Sequence, residues 1–531
     1  MHAVWTVAKS LYPAWCWSNL RPQFRAYFMI ALTQTTSRSR VVPALGSAVA
    51  ILVALTVVRL IGLKFSTVDL FFDEAQYWAW SREPAFGYFS KPPLLAWIIA
   101  AAEHVCGSSE SCIRSPAPVL YFGTSMLVYA VARLLYDVQI AFFSALSVAL
   151  ALGAVFSARI ISTDVPLLFF WALALLAYVK LIRGAGMPWA VVLGIALGFG
   201  LMAKYAMIYF VLGAALAAWL EQDARRLLYT PAPWLALLIA AAIVAPNILW
   251  NFNNDLATFK HTGDNIQGSG VALNPFNGLE FFGAQFLVFG PIVFAVLLAA
   301  IAQIALPTIT RADRLMLAFA IPPLALVTAL AFVTRALANW AAPAFISAVI
   351  VVVAIMIRRG AWGWLAASIA LGLTVQVALL AGDAMATRIH VPTPGGGSDP
   401  YHRTLGWRVL GERAGELARR SGARAIVGDA RDDEASLVYY WRDQPEQVLA
   451  WQRGPYPDHQ FELSRPLTQA APLPLLFVSR CAGSGRLAAQ FSSVEALGHF
   501  DAPTGPTTKR TYFAFKLDSP RGPIGPLGDC R

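Results

Sequence analysis

The sequence predicts an α-helical polytopic membrane protein with about 11 to 13 transmembrane helices, closed by a small extracytoplasmic α/β domain at its carboxy end. Three observations carry that prediction. Of the 531 residues, 57% are hydrophobic and only 13% charged, a balance that ordinary soluble domains do not reach, so lipid is the solvent for most of the chain. Apolar runs long enough to cross a bilayer recur between residues 41 and 382, and Lys and Arg fall at every second connection between them. Beyond residue 383 the composition turns soluble.

Residues 1–40 read as a cytoplasmic arm, with Lys9, Arg21, Arg25, Arg38 and Arg40 ahead of the first span. They lack the ordered charged, apolar and cleavage-site segments of a secretory signal, so the first span is expected to stay as an anchor; Met29 is a second candidate start. The membrane body, 41–382, offers eleven runs, at 41–63, 115–136, 140–156, 165–179, 189–202, 206–220, 234–250, 281–306, 315–333, 341–357 and 362–380. A further, partly embedded helix is expected over 92–105. Arg133, Lys180 with Arg183, Arg225 with Arg226, Arg311 with Arg314, and Arg358 with Arg359 mark the alternate connections, which the positive-inside rule makes cytoplasmic. The amino terminus is then inside, the carboxy-terminal domain periplasmic, and the loops rich in Asp, Trp, Tyr and Asn share the outer face. The net charge of +11 therefore reflects topology rather than a nucleic-acid surface.

A Pro- and Gly-rich linker spans 383–400, and 401–531 reads as an extracytoplasmic α/β domain. An amphipathic helix is expected over 405–420 and strands over 424–427, 475–479 and 511–517. Cys106, Cys112, Cys481 and Cys530 all fall outside, where the compartment is oxidising. The pairs Cys106 with Cys112 and Cys481 with Cys530 are compatible with disulfides; unpaired thiols are the alternative, since connectivity is not legible from sequence. No His and Cys spacing suits a metal, so no metal or other cofactor is implied, and His261 reads as an ordinary loop residue.

The first outer loop, 64–114, is too long and too particular for a connector. Asp73 and Glu74 follow an apolar stretch at the membrane surface, where a carboxylate is costly unless solvated or engaged. Tyr77, Trp78, Trp80, Tyr88 and Trp97 add an aromatic belt, and Lys91 stands just before Pro92 and Pro93. For Trp78 and Trp80 anchoring of an interfacial helix is the preferred reading; for Asp73 a functional one is. Asp164 lies two residues ahead of Pro166, where it could also cap a helix. Lys204 and Tyr205 interrupt an apolar stretch, where a lysine could simply snorkel. Trp250 and Asn251 open a fourth outer loop, and Arg335, Asn339 and Trp340 form a fifth. Carboxylates and aromatic rings bind sugars and cations bind phosphates, so one membrane face carries the parts of a glycosyl-phosphate site.

At these residues the chain resembles the GT-C type of polytopic glycosyltransferase, in the branch of the protein mannosyltransferases and aminoarabinose transferases. The resemblance runs from residue 41 to about Trp407 and rests first on Asp73-Glu74 with Tyr77, then Gly87-Tyr88-Phe89 and Lys91-Pro92-Pro93. Thr163-Asp164-Val165-Pro166-Leu167, Lys204-Tyr205, Trp250-Asn251, Gln285 with Gly290-Pro291, Asn339-Trp340 with Pro343, and Gly406-Trp407 follow in the family's order. It implies an inverting transferase that moves a sugar from a polyprenyl-phosphate donor to an envelope acceptor on the outer face of a bacterial cytoplasmic (inner) membrane. The acceptor it implies is lipid A or lipopolysaccharide, another glycan, or a protein. Asp73 is implied as general base or acceptor-orienting carboxylate and Asp164 as the second catalytic acidic position. Lys91, Tyr88 and Lys204 are implied near the donor phosphate. Glu74, Tyr77, Tyr205, Trp250, Asn251, Arg335, Asn339 and Trp340 complete the expected substrate contacts. Ser90 departs from the pattern, because relatives often carry an acidic residue or His in that neighbourhood.

The physical sense of these roles is direct. A sugar hydroxyl is a poor nucleophile at neutral pH, and a positioned carboxylate that takes its proton is worth about a hundredfold to ten-thousandfold. Fixed cations stabilise the charge that grows on the departing lipid phosphate. Two other readings compete: a lipid or sugar transporter or flippase without transferase activity, which would place its ionisable groups and broken helices near mid-membrane, and a structural subunit whose tail binds envelope partners.

Overall fold

A computed structural model of the protein describes residues 45–267, 273–389, 399–444 and 447–528. The arm over 1–40 and the Pro- and Gly-rich stretch 390–398 lie outside the described residues.

Among the described residues fifteen helices of ten or more residues build the membrane part. They are α1 (Leu45–Phe65), α2 (Phe72–Ser81), α3 (Leu94–Cys106), α4 (Pro116–Leu135), α5 (Val138–Leu150), α6 (Asp164–Ile182), α7 (Pro188–Ala203), α8 (Tyr209–Leu220), α9 (Pro231–Asn253), α10 (Ala257–Gln267), α11 (Pro275–Val288), α12 (Pro291–Ala302), α13 (Arg311–Ala331), α14 (Ala344–Arg358) and α15 (Trp362–Met385). Among the described residues six helices are long and apolar enough to cross a membrane: α1, α4 with its lead-in from Glu110, α6, α9, α13 and α15. The helices α11 and α12 pass the same test as a pair, bent by 116°. The bend has a local cause, since Gly290 takes a left-handed φ of 89° and Pro291 starts the next helix. Each of the eleven expected runs overlaps one of these helices or one of the shorter apolar ones, and the run at 281–306 is the broken pair. The embedded helix expected over 92–105 corresponds to α3.

Position in the bundle follows from which faces are apolar. In α14 every residue from Ala344 to Met356 is buried, as suits a helix that is hydrophobic all round. In α15 most of the surface stays open while Gly372 lets it close on α5: a Cβ there would stand 2.0 Å from the Leu150 carbonyl oxygen. Gly194 does the same for α7 on α9, where a Cβ would lie 2.7 Å from the Ala236 oxygen.

Buried charge lies within and at the ends of the spans. Arg59 of α1 is 3% exposed; its Nε donates to Gln376 at 2.7 Å and its Nη2 to the Ala149 carbonyl at 2.6 Å. Arg159 pairs with Asp383, which also accepts from the Tyr401 hydroxyl. These groups are paired or hydrogen-bonded inside the protein, as buried charge requires.

The residues expected on the inner face gather at one end. Asp313 is fully buried and accepts from Tyr136 at 2.8 Å and from Arg358 at 3.1 Å, while Arg314 pairs with Glu221 at 2.6 Å. The basic residues at alternate connections thus become a clustered set of side chains, and the residues described in the next section form a second such set.

The tail folds around a five-stranded mixed sheet in the order β2-β1-β3-β5-β4. Its strands are β1 (Ala425–Gly428), β2 (Gln447–Ala450), β3 (Leu475–Ser479), β4 (Phe491–Pro503) and β5 (Lys509–Pro520), with helices α16 (Trp407–Ser421) and α17 (Arg431–Tyr440) packed beside them. β1 runs parallel to β2 and β3, whereas β5 is antiparallel to both β3 and β4. β1 and β3 are buried at every position, which is why they read as short continuous apolar runs rather than as alternating ones.

The tail is fastened to the first outer loop by polar contacts. Asp69 accepts from the backbone N–H of Trp407 at 3.0 Å and of Arg408 at 3.2 Å. Leu70 N–H donates to the Tyr440 hydroxyl at 2.8 Å, the Tyr439 hydroxyl to the Ser108 carbonyl at 2.7 Å, and Phe89 N–H to Gln460 at 2.8 Å. Within that loop Cys106 and Cys112 form a disulfide. For the other expected pair, Cys481 with Cys530, Cys530 lies outside the described residues.

Candidate active site

The first outer loop folds back as α2 and a turn into α3, and the turn is shaped by its own aromatic residues. Tyr88 is 2% exposed, stacks on Trp80 with ring centroids 4.6 Å apart, and donates its hydroxyl to the Trp80 carbonyl at 2.8 Å. The Tyr88 N–H bonds the Lys91 carbonyl at 3.2 Å, and the Thr258 hydroxyl donates to the Tyr88 carbonyl at 2.7 Å. This fixes the backbone at Lys91. Gly87 allows the turn to touch α9, since a Cβ there would stand 2.4 Å from the Trp250 ring.

Three elements then converge on one group of charges. Asp164 begins α6 but makes no capping bond; its carboxylate accepts from Lys204 Nζ at 2.7 Å and from Asn339 Nδ2 at 2.6 Å. Lys204 reaches it because α7 stops there: the residue is extended, with φ −162°, and its side chain turns toward Asp164 instead of snorkelling. Asp73, in the first turn of α2, is half-buried and pairs with Arg431 Nη1 at 3.2 Å. Lys91 makes no ion pair among the described residues, yet it feels the charges of Lys204, Asp73, Asp164 and Arg431. Burial, with Lys204 next in importance, lowers its pKa below that of an ordinary lysine.

The second layer is polar and aromatic. The Tyr205 hydroxyl donates to Asn247 at 2.8 Å, Asn251 Nδ2 approaches that hydroxyl at 3.4 Å, and Asn247 Nδ2 donates to the Phe86 carbonyl at 2.7 Å. Phe259 stacks on Tyr205 at 5.2 Å. His261 packs edge-on against Phe89 at 5.6 Å; burial, Lys91 and Arg431 pull its pKa down to about 4. Burial and the Asp73 charge hold the Tyr77 hydroxyl well above its ordinary range. Asn339 reaches the centre through its bond to Asp164, whereas Arg335 beside it is exposed and Trp340 is half-buried against the core.

Two expectations need correction. Glu74, expected among the substrate contacts, is 1% exposed and its oxygens are occupied by protein: Arg114 Nη2 at 2.7 Å, Arg114 Nε at 3.0 Å, Phe71 N–H at 2.9 Å and Ile161 N–H at 2.9 Å. One helical step separates it from Asp73, and that step turns it into the bundle. Trp78 and Trp80, expected as lipid anchors, are 4% and 3% exposed. Trp78 donates to Glu103 and meets Tyr439 of the tail edge-on, because the tail covers the surface that would otherwise face the interface.

Arg431 is the functional-site candidate that the sequence reading missed. It opens α17 at the carboxyl end of the parallel strand β1, the end at which α/β sheets present their ligand sites. Its guanidinium also bonds Gln76 at 3.4 Å and lies 5.0 Å over the Phe72 ring. A signal existed in the run Asp429-Ala430-Arg431 directly after a short apolar strand, but nothing in the sequence says that this turn faces Asp73.

Comparison with known proteins gives the chain a family and a fold. Residues 90–250 match the family described as dolichyl-phosphate-mannose-protein mannosyltransferase. The chain is 32% identical over 418 residues to the lipid A galacturonosyltransferase RgtD of Rhizobium johnstonii, covering 78% of this chain and 87% of that one. It is 28% identical over 181 residues to the lipopolysaccharide core galacturonosyltransferase RgtA of the same organism, covering 34% of this chain and 36% of that one. In fold it resembles ArnT of Cupriavidus metallidurans bound to undecaprenyl phosphate, with a TM-score of 0.63, 15% identity, and coverage of 92% of this chain and all of that one. With these spans and this likeness to RgtD along most of both chains, the protein belongs to the GT-C glycosyltransferases, as a multi-pass membrane enzyme of the same family as RgtD.

Proposed function

We propose that the protein transfers a galacturonosyl residue from a polyprenyl-phosphate donor to lipid A or the lipopolysaccharide core, with inversion, on the outer face of the inner membrane. The observation that carries this reading is the meeting of Asp73, Asp164, Lys91 and Lys204 across the first outer loop, α6 and the end of α7. The sugar and acceptor are suggested by the galacturonosyltransferases to which the chain is similar, and the lipid carrier by the undecaprenyl phosphate held by the ArnT of like fold.

In this mechanism Lys91, which has no carboxylate partner among the described residues, takes the donor phosphate and stabilises the charge that develops as the bond to the anomeric carbon breaks. Lys204 is anchored by Asp164 and supports the same phosphate. Tyr88 acts through its stacked ring and backbone, by holding Lys91 in place. Asp73 takes the acceptor proton while the acceptor oxygen attacks from the side opposite the phosphate, which inverts the anomeric centre. Where the acceptor is itself a phosphate no proton needs removal, and Asp73 orients it. Tyr205, Asn251 and Trp250 support the loop and line the approach, Asn339 holds Asp164, and Arg335 and Trp340 contact the substrate beside it. Both termini take the sides set by Lys and Arg placement, inside for the amino end and outside for the tail.

The test is mass analysis of lipopolysaccharide from a strain lacking the gene, complemented with the wild type or with Asp73→Asn. The wild type restores a uronic acid substituent and the variant does not. Lipopolysaccharide unaltered by loss of the gene contradicts the proposal.

A further inference from the structure

Three cations, Lys91, Lys204 and Arg431, gather at the candidate active centre, and Arg431 comes from the tail. Lys204 is neutralised by Asp164 at 2.7 Å, and Lys91 stands free for the phosphodiester of a lipid-linked sugar. Arg431 is paired as well, but through one nitrogen alone. Its Nη1 reaches Asp73 at 3.2 Å and Gln76 at 3.4 Å, while its Nε and Nη2 have no partner among the described residues. The guanidinium is kept in place by Phe72 beneath it at 5.0 Å and by the start of α17. A guanidinium so held offers a planar fork, the geometry that matches a carboxylate with two parallel hydrogen bonds. A uronosyl donor carries two negative charges, on the phosphodiester and on the sugar carboxylate, and the centre offers two cationic positions for them.

We propose that Arg431 determines donor specificity by binding the carboxylate of the uronic sugar through its free Nε and Nη2 edge, with Nη1 still on Asp73. The inference rests on the galacturonosyl reading above and assigns a residue to it. In the proposed mechanism Asp73 takes the proton of the acceptor oxygen that attacks the anomeric carbon, so a guanidinium 3.2 Å from that carboxylate is within one side chain of the donor ring. The soluble tail thereby supplies part of the donor site. Phosphate is the other anion that suits this fork, and the experiment separates the two.

The experiment measures competition between polyprenyl-phosphate galacturonic acid and polyprenyl-phosphate galactose, which differ only at C6, for the purified full chain and for Arg431→Gln and Arg431→Lys. The quantity read is the ratio of the two kcat/KM values, which is insensitive to the fraction of variant that folds. The wild type prefers the uronosyl donor; Arg431→Gln lowers that ratio by roughly 10- to 100-fold, the worth of one charge-assisted pair, and Arg431→Lys recovers part of it. A wild type that prefers the uronosyl donor with Arg431→Gln keeping the same ratio overturns this inference alone and points to phosphate or to tail positioning. A wild type without preference for the uronosyl donor overturns the galacturonosyl reading together with the inference.

Discussion

Lys91 and Lys204 illustrate how two lysines of the same loop face acquire different work. Lys204 spends its charge on Asp164, whereas Lys91 keeps its charge and has its pKa lowered by burial and by Lys204. On the proposed role the ammonium holds phosphate while it is charged, below that lowered pKa, and loses its charge as pH rises through it. Donor affinity therefore falls on the alkaline side at a lower pH than an ordinary lysine would give. Lys91→Arg, whose charge persists, is expected to shift this alkaline limb upward in a pH series of donor binding, and an unshifted limb assigns the titration elsewhere. Lys91→Ala is expected to weaken donor binding about 10- to 100-fold with little change in thermal stability, because no ion pair is broken; equal affinity for the donor in wild type and variant contradicts the role. At this scale the sequence showed Asp73, Asp164, Lys91 and Lys204, since charge beside apolar runs is conspicuous. It did not show that Glu74 turns inward to Arg114, because adjacent positions on a helix differ by a rotation that only packing resolves.

The first outer loop and α2 work as one rigid unit. The pair Glu74 and Arg114 is nearly water-free, at 2.7 Å, so removing one partner strands the other charge in the interior, at a cost of about 3–5 kcal/mol. Glu74→Ala is expected to lower the thermal midpoint of the purified protein markedly, in contrast to Asp73→Asn, which lies in a half-exposed place. Similar midpoints for the two variants contradict that division. Asp69 joins this unit to the tail, and burial pushes its carboxyl from 3.8 up to about 6, against the pull of Arg408 and Trp407. The folded state thus holds this proton more tightly than the unfolded chain. Its stabilising contribution is complete below about pH 4 and is lost as pH rises through 6. Asp69→Asn, which keeps an oxygen for the two N–H donors, is expected to flatten stability between pH 4 and pH 7; an unchanged slope refutes it. Helices were legible wherever apolar runs ended in Pro or charge, as at Pro188 and Lys204. The 116° break between α11 and α12 was not, although Gly290-Pro291 stood in the sequence, because a Gly-Pro step gives a break without giving its angle.

Across the whole molecule, apolar runs and alternating basic connections were enough to anticipate the helical body, and the change of composition was enough to anticipate the α/β tail. The tail's place over the first outer loop was not legible, since Trp78, Asp69 and Phe89 meet Tyr439, Trp407 and Gln460 from more than 300 residues away. Such pairings depend on three-dimensional closure, and so does the arrival of Arg431 at Asp73. On the proposed roles the enzyme is a two-part device, in which the 64–114 loop and the end of α7 hold the phosphate cations and the docked tail completes the sugar side. In the proposed mechanism Asp73 takes the proton of an acceptor that attacks a donor held by Lys91. The most direct measurement is single-turnover transfer from polyprenyl-phosphate galacturonic acid to lipid A by purified wild type and Asp73→Asn, with donor binding measured on the same samples. The account predicts that Asp73→Asn binds donor within a few-fold of wild type and transfers about a hundredfold to ten-thousandfold more slowly; transfer at the wild-type rate would contradict it.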